Sequence, residues 1–127
     1  MDKHILVVDD SATIRLSVGS FLRRANYRVT EAVNGRDALE KLEALRQHDD
    51  SVSLVLTDVN MPEMDGINLI RALREGHFRF VPILVLTTET DASRVEEGMA
   101  AGASGWFRKP FQAEQLLRAI EKLLWSR

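Results

Sequence analysis

The sequence predicts an α/β domain built on a parallel, doubly wound sheet, and three observations predict it. Short continuous runs of Val, Ile and Leu alternate with longer stretches of helical spacing. The 127 residues suit a single core, since domains typically hold about 100–150 residues. A composition of 45% hydrophobic and 28% charged residues is that of an ordinary globular protein.

The elements follow in order. Ile5 to Val8 is the first strand, and Ser11 after it is a candidate N-cap whose hydroxyl accepts from a free backbone N–H. Ile14, Val18, Phe21, Leu22 and Ala25 stripe one face of the first helix, with Arg15, Arg23 and Arg24 on the other. A weaker second strand, Tyr27 to Thr30, leads to Asn34 as the next N-cap and to a helix striped by Ala38, Leu42 and Leu45. Leu54 to Leu56 is the third strand, and Leu69, Ala72 and Leu73 mark the helix after it. Ile83 to Leu86 is the fourth strand. The fourth helix, from about Ala92 to Ala101, rests on Val95, Met99 and Ala103; Gly98 inside it and Gly102 after it make it the loosest expected. A brief strand at Trp106-Phe107 precedes a last helix striped by Leu116, Leu117, Ile120, Leu123 and Leu124. Continuous apolar runs mark strands buried on both faces, and right-handed crossovers place helices on both sides of the sheet.

Composition excludes several function classes. Cysteine is absent, which removes disulfides, thiolate metal sites and cysteine nucleophiles together and fits a reducing cytoplasm. Seventeen Lys and Arg against nineteen Asp and Glu leave a net charge of −2, so no global basic field draws the chain to nucleic acid or to an anionic membrane. The first apolar run has four residues, too short for a signal-peptide core or a membrane span. His4, His48 and His77 are scattered without ligand spacing and read as structural or surface residues.

Ligands of open parallel sheets bind at the carboxyl ends of the strands, and here those ends are acidic. The first strand runs out into Asp9-Asp10 and the third, through Thr57, into Asp58. If the two strands are neighbours, three carboxylates meet. Two carboxylates about 5 Å apart at an effective dielectric near 20 repel by roughly 3 kcal/mol, about two pKa units, so a cation belongs among them. Oxygen donors alone, few in number, suit Mg²⁺ better than Ca²⁺. Thr87, Thr88 and Glu89 follow the fourth strand and Lys109 the fifth, adding a hydroxyl and a point-charge donor suited to a phosphoryl group. An Asp beside a bound cation can also serve as a nucleophile toward phosphorus.

Each residue has a plainer reading. Asp10 can cap a helix, Asp58 with Asn60, Pro62 and Asp65-Gly66 can be turn punctuation, Thr87 can be satisfied by backbone, and Lys109 can be a solvated charge. Their shared position at one edge of one sheet favours a site.

Four strings, I-L-V-V-D-D-S from Ile5, L-V-L-T-D-V-N-M-P-E-M-D-G from Leu54, L-T-T-E from Leu86 and A-G-A-S-G-W-F-R-K-P-F from Ala101, resemble the receiver domain of bacterial two-component response regulators, in its stand-alone chemotaxis type. The resemblance spans essentially the whole chain. It implies a flavodoxin-like (βα)5 fold with strand order 2-1-3-4-5, one receiver domain over 1–127 and no effector domain. By the same resemblance Asp58 is the phosphoryl acceptor, and Asp9, Asp10, Asp58 and the Asn60 backbone carbonyl attend Mg²⁺, Asp9 through water. Lys109 pairs with the phosphoryl group and precedes a cis peptide bond to Pro110. Thr87 is the switch hydroxyl, and Trp106 stands where an aromatic changes rotamer with it. Asn60 and Glu89 tune attack by water, and rapid self-dephosphorylation is expected. Two departures stand out: Thr88 is larger than the common Ala, and Trp106 is bulkier than the common Tyr or Phe.

The implied function is a phosphorylation-controlled switch in the cytoplasm, a signalling protein rather than an enzyme with its own substrate. Its partners are a histidine kinase of the chemotaxis type, a downstream protein target and a phosphatase. The target would dock on the fourth helix, fifth strand and fifth helix, where Trp106, Phe111 and Gln112 are expected. The implied state is a monomer, with a dimer left open; Trp125 is expected to pack at the domain's rim or to serve an interface. Other readings are a receiver in a phosphorelay or another two-component pathway, a Mg²⁺-dependent phosphohydrolase with an aspartyl nucleophile, an FMN carrier, and a receiver-shaped adaptor that is never phosphorylated.

Overall fold

The computed structural model describes residues 3–125, so the first two and last two residues of the expected 1–127 unit lie outside the described part. Strands and helices alternate along it: β1 (His4–Val8), α1 (Ala12–Arg24), β2 (Arg28–Ala32), α2 (Gly35–Gln47), β3 (Leu54–Thr57), α3 (Gly66–Glu75), β4 (Ile83–Thr87), α4 (Ala92–Ala101), β5 (Gly105–Arg108) and α5 (Ala113–Trp125). All four strand pairings are parallel, and the sheet order is β2-β1-β3-β4-β5. Among the described residues no helix is long and apolar enough to cross a membrane.

The apolar runs are continuous because successive residues of the central strands feed opposite cores. Leu6 and Val8 of β1, Val55 of β3, and Ile83 and Val85 of β4 pack with Leu42 of α2 and with Leu69 and Leu73 of α3. Ile5, Val7, Leu54, Leu56, Leu84 and Leu86 join the other core, closed by Val18 and Leu22 of α1 and by Leu116 and Ile120 of α5. Each such side chain contributes about 1.5–3 kcal/mol, so the sheet's centre is its most strongly held part. Ser11 and Asn34 cap α1 and α2 as expected, accepting from the N–H groups of Ile14 and Asp37 at 3.3 and 2.9 Å. Asp65 and Asp91 do the same for α3 and α4.

Three expectations change. The second strand spans Arg28–Ala32 instead of Tyr27–Thr30, because pairing with β1, from His4↔Arg28 to Val8↔Ala32, decides its limits. As an edge strand it tolerates Arg28 and Glu31, and Tyr27 is buried just before it. The α4 stripe is also different. Met99 is 44% exposed and Gly98 is the buried residue; a Cβ on Gly98 would lie 2.6 Å from Cζ3 of Trp106. The glycine expected to loosen the helix is its contact with the sheet. Finally, Phe111 is turned away from α4: its ring lies 5.8 Å from that of Phe21 on α1, inside the α1/α5 core. Gln112 is exposed.

His4 is a core residue of β1, with Nε2 2.7 Å from the Thr30 hydroxyl. Burial, and then the charge of Arg28, lower its pKa against the upward pull of Asp50 at 3.7 Å. Trp125 packs at the rim, where its Nε1–H donates to the Tyr27 hydroxyl at 3.2 Å and Lys3 lies over its ring.

Candidate functional site

The neighbouring of β1 and β3 brings the acids together. Asp9 and Asp10 follow β1, Asp58 follows β3, and the register Val8↔Thr57 places these exits side by side. Carboxylate oxygens of Asp9, Asp10 and Asp58 all lie within 4.8 Å of one another. Asp9 and Asp58 are buried, at 3% and 8% exposure, whereas Asp10 faces solvent. Local structure holds the buried pair: Asp9 Oδ1 accepts from the Ser11 N–H at 2.9 Å, and Asp58 Oδ1 from the Val59 N–H at 2.6 Å. Arg15, unremarked in the sequence beyond its place on a polar helix face, donates from Nη1 to the Asp9 carbonyl at 2.7 Å.

Lys109 reaches the pair from the edge strand β5, two strands from β3. It follows β5 and precedes a cis bond to Pro110, and its Nζ donates to Asp9 Oδ2 at 2.7 Å and to Asp58 Oδ2 at 3.0 Å. Burial works against the Lys109 charge, but the hydrogen bonds it donates to Asp9 and Asp58, and their charges, outweigh it and raise its pKa. Burial also raises the pKa of Asp9, with the Asp58 charge adding to it and the Lys109 and Ser11 donors opposing. Both groups therefore hold protons more tightly, Asp9 chiefly through burial and Lys109 through its two carboxylate partners, in a cluster where one lysine sits among three carboxylates.

That imbalance and the donor set fit a hard divalent cation: oxygen atoms only, two of the acids buried and bonded in place, and one open to water. Lys109 is also what makes the cluster tolerable without one. Lys109→Ala is expected to destabilise the metal-free protein by about 3 kcal/mol, since removing one partner leaves buried charge uncompensated, and added Mg²⁺ should restore part of the loss. Urea unfolding in chelator and in Mg²⁺ checks this; a change below about 1 kcal/mol, the scale of an exposed pair, would contradict it.

The other expected residues are at the same edge but not all in the cluster. Asn60 and Glu89 bridge the loops after β3 and β4, Asn60 Nδ2 donating to Glu89 Oε1 at 3.3 Å. Thr87 is fully buried at the end of β4, and its hydroxyl accepts from the Glu89 N–H at 3.1 Å. Thr88 is exposed. Trp106 lies half-buried against the α2/α3 core, and its Nε1 is enclosed with no partner among the described residues. Two glycines complete the architecture. Gly98 seats the Trp106 ring, and Gly66 lies against the Asp58 backbone, where a Cβ would fall 2.0 Å from the Asp58 carbonyl oxygen. Their only signals were a glycine inside a helix pattern and the pair Asp65-Gly66, which resembles any turn.

An acidic pocket at the carboxyl edge of a 2-1-3-4-5 sheet, bridged by a lysine, defines a class of signalling domain, and the family comparison agrees. The profile of the response regulator receiver domain matches residues 5–121, and the chain belongs to that family. It is 37% identical over 122 residues to the chemotaxis protein CheY1 of Helicobacter pylori, covering 94% of this chain and 95% of that protein. It is also 37% identical over 121 residues to the chemotaxis protein CheY of Pseudomonas aeruginosa, covering 94% of each. The solved structure of chemotaxis protein CheY4 of Vibrio cholerae superposes with a TM-score of 0.87 at 41% identity, over 98% of this chain and 100% of that one.

Proposed function

We propose that this chain is a phosphorylation-activated response regulator of the chemotaxis type, acting in the cytoplasm, with Asp58 as acceptor. The carrying observation is the cluster itself: Asp58 fixed by one backbone donor and by Lys109, with two further acids beside it. Asp9, Asp10, Asp58 and the Asn60 carbonyl would hold Mg²⁺, which when bound supplies positive charge for the phosphoryl oxygens. Asp58 attacks the phosphorus of a phosphohistidine on the kinase; an O–P bond forms, the N–P bond breaks, and its electron pair returns to the imidazole. Lys109, already held at Asp58 Oδ2, balances charge on the incoming group. In self-dephosphorylation a water attacks the same phosphorus past Asn60 and Glu89, returning the carboxylate and inorganic phosphate. Rapid turnover by this route is part of the proposal, and a partner phosphatase would accelerate it.

The added charge draws the Thr87 hydroxyl toward the phosphoryl oxygens and away from the Glu89 N–H, biasing the loop before α4 and the packing of Trp106. Output passes by protein contact through α4, β5 and α5. A groove of about 490 Å³ between α4 and β5, lined by Ala92, Val95, Glu96, Trp106 and Arg108 among others, supports that surface. Chemotaxis is supported by the CheY relatives, each matched over 94% or more of its own length.

Incubation with Mg²⁺ and acetyl phosphate is expected to add one phosphoryl mass, and Mg²⁺ with beryllofluoride to change Trp fluorescence. A protein that gains no mass under these conditions is not the proposed switch.

A further inference from the structure

Helix α4 is held to the domain largely by polar contacts of Arg94 and Glu97. Gly98 is its one buried residue, so little apolar surface fixes it. Ala101 packs on the core that α3 lines, Arg74 of α3 donates to the carbonyl of Gly102 at the α4 C-cap, and the remaining attachments to α3 are ionic. Arg71 Nη2 of α3 lies 2.7 Å from Glu97 Oε2 of α4, and Arg94 of α4 reaches Asp65 Oδ2, the N-cap of α3, at 3.3 Å. Glu97 Oε1 also accepts from Arg94 Nη1 at 3.1 Å. Arg94 has a third neighbour: its Nε lies 4.0 Å from Glu89 Oε1, the same oxygen that accepts from Asn60. The other Glu89 oxygen accepts from the Asp91 N–H at 3.1 Å. A chain of polar contacts thus runs from the Asn60 amide at the site, through Glu89, to Arg94 on the first turn of α4 and on to α3.

We infer that Arg94 is a positioning residue that holds Glu89 in its bridge to Asn60 and so lengthens the life of the phosphoryl group on Asp58. The inference rests on the acceptor assignment proposed above. Without Arg94, the Glu89 carboxylate loses the cation beside it, at the rim of a pocket that already holds three acids and gains a phosphoryl group. Like-charge repulsion then drives Glu89 outward and breaks the Asn60 bridge between the loops that flank Asp58. Water gains access. The pair is partly exposed, with the Arg94 side chain at 28%, so the effect is of moderate size and sensitive to salt.

The test is the rate at which phosphoryl mass is lost after acetyl phosphate is removed, at fixed Mg²⁺, for the wild type, Arg94→Ala, Arg94→Lys, Glu89→Gln and the Arg94→Ala/Glu89→Gln pair. Arg94→Ala is expected to lose the group about two- to fivefold faster at low salt, the scale of one part-exposed ion pair. Arg94→Lys should recover part of the difference, and raised salt should move the wild type toward the Arg94→Ala rate. In the Glu89→Gln background, Arg94→Ala should have no further effect. Equal lifetimes for the wild type and Arg94→Ala overturn the inference, and so does an undiminished acceleration in the Glu89→Gln background, which would mean that Arg94 acts through α4 packing alone. Those failures leave the acceptor assignment standing; a wild type that takes up no phosphoryl group removes both.

Discussion

Asp58→Ala is expected to gain no phosphoryl mass from acetyl phosphate in Mg²⁺, a complete loss rather than a slowing. The result is informative because the variant keeps two other carboxylates. Asp9 is held much as Asp58 is, with one oxygen on a backbone N–H and the other on Lys109, so hydrogen bonding alone does not separate the two. Exposure does: Asp9 is the more deeply buried, at 3% against 8% for Asp58, and is the less open of the two to an incoming phosphoryl donor. Asp10 faces solvent, and a nucleophile needs a fixed line of attack. Intact-mass measurement followed by peptide mapping decides the matter. An adduct that persists in Asp58→Ala, moved to Asp9 or Asp10, would assign the acceptor elsewhere.

Gly66→Ala is expected to be the most destabilising single methyl that can be added to this site. The new Cβ would lie 2.0 Å from the Asp58 carbonyl oxygen, 2.9 Å from its carbonyl carbon and 3.0 Å from the Val59 Cα. All three are backbone atoms at the end of a central strand, so no side chain can swing aside. Overpacking in cores costs about 1–3 kcal/mol and more where nothing relaxes; a loss above about 3 kcal/mol lowers the melting temperature of a chain this size by roughly 10 °C. Relief by moving α3 away from β3 would shift the Asp58 backbone, so phosphoryl uptake should fall together with stability. Thermal unfolding by circular dichroism checks the first part and uptake at low temperature the second. A melting temperature within about 3 °C of the wild type, equivalent to roughly 1 kcal/mol, would show that the close approach is relaxed at little cost.

Much of the fold was legible because its causes are local and repetitive. Three central runs of Val, Ile and Leu had to be two-faced strands, and they are, with alternate residues entering opposite cores. Ser11 and Asn34 were legible as caps because the hydrogen bond they make is to their own next turn. Edge strands were less so: β2 carries Arg28 and Glu31, and its limits come from β1 rather than from its own composition. The acids, the hydroxyl and the lysine of the site could be placed at one edge, because strand ends were readable and parallel sheets bind ligands there.

What the sequence determined by itself, then, is the alternation of strands and helices, the starts of the first two helices, the family, and the placing of Asp9, Asp10, Asp58, Thr87 and Lys109 at one end of the sheet. Tertiary structure decided the rest. It decided that Lys109 bridges Asp9 and Asp58 directly, that Gly66 must be small because α3 starts against the Asp58 carbonyl, that Gly98 is the seat of Trp106 rather than a flaw in α4, and that Phe111 belongs to the α1 side. The physical reason is range. Periodicity and capping act over a few residues and are written along the chain, whereas a glycine's close approach or a lysine's choice of carboxylate depends on segments tens of residues apart that meet only when the sheet has closed.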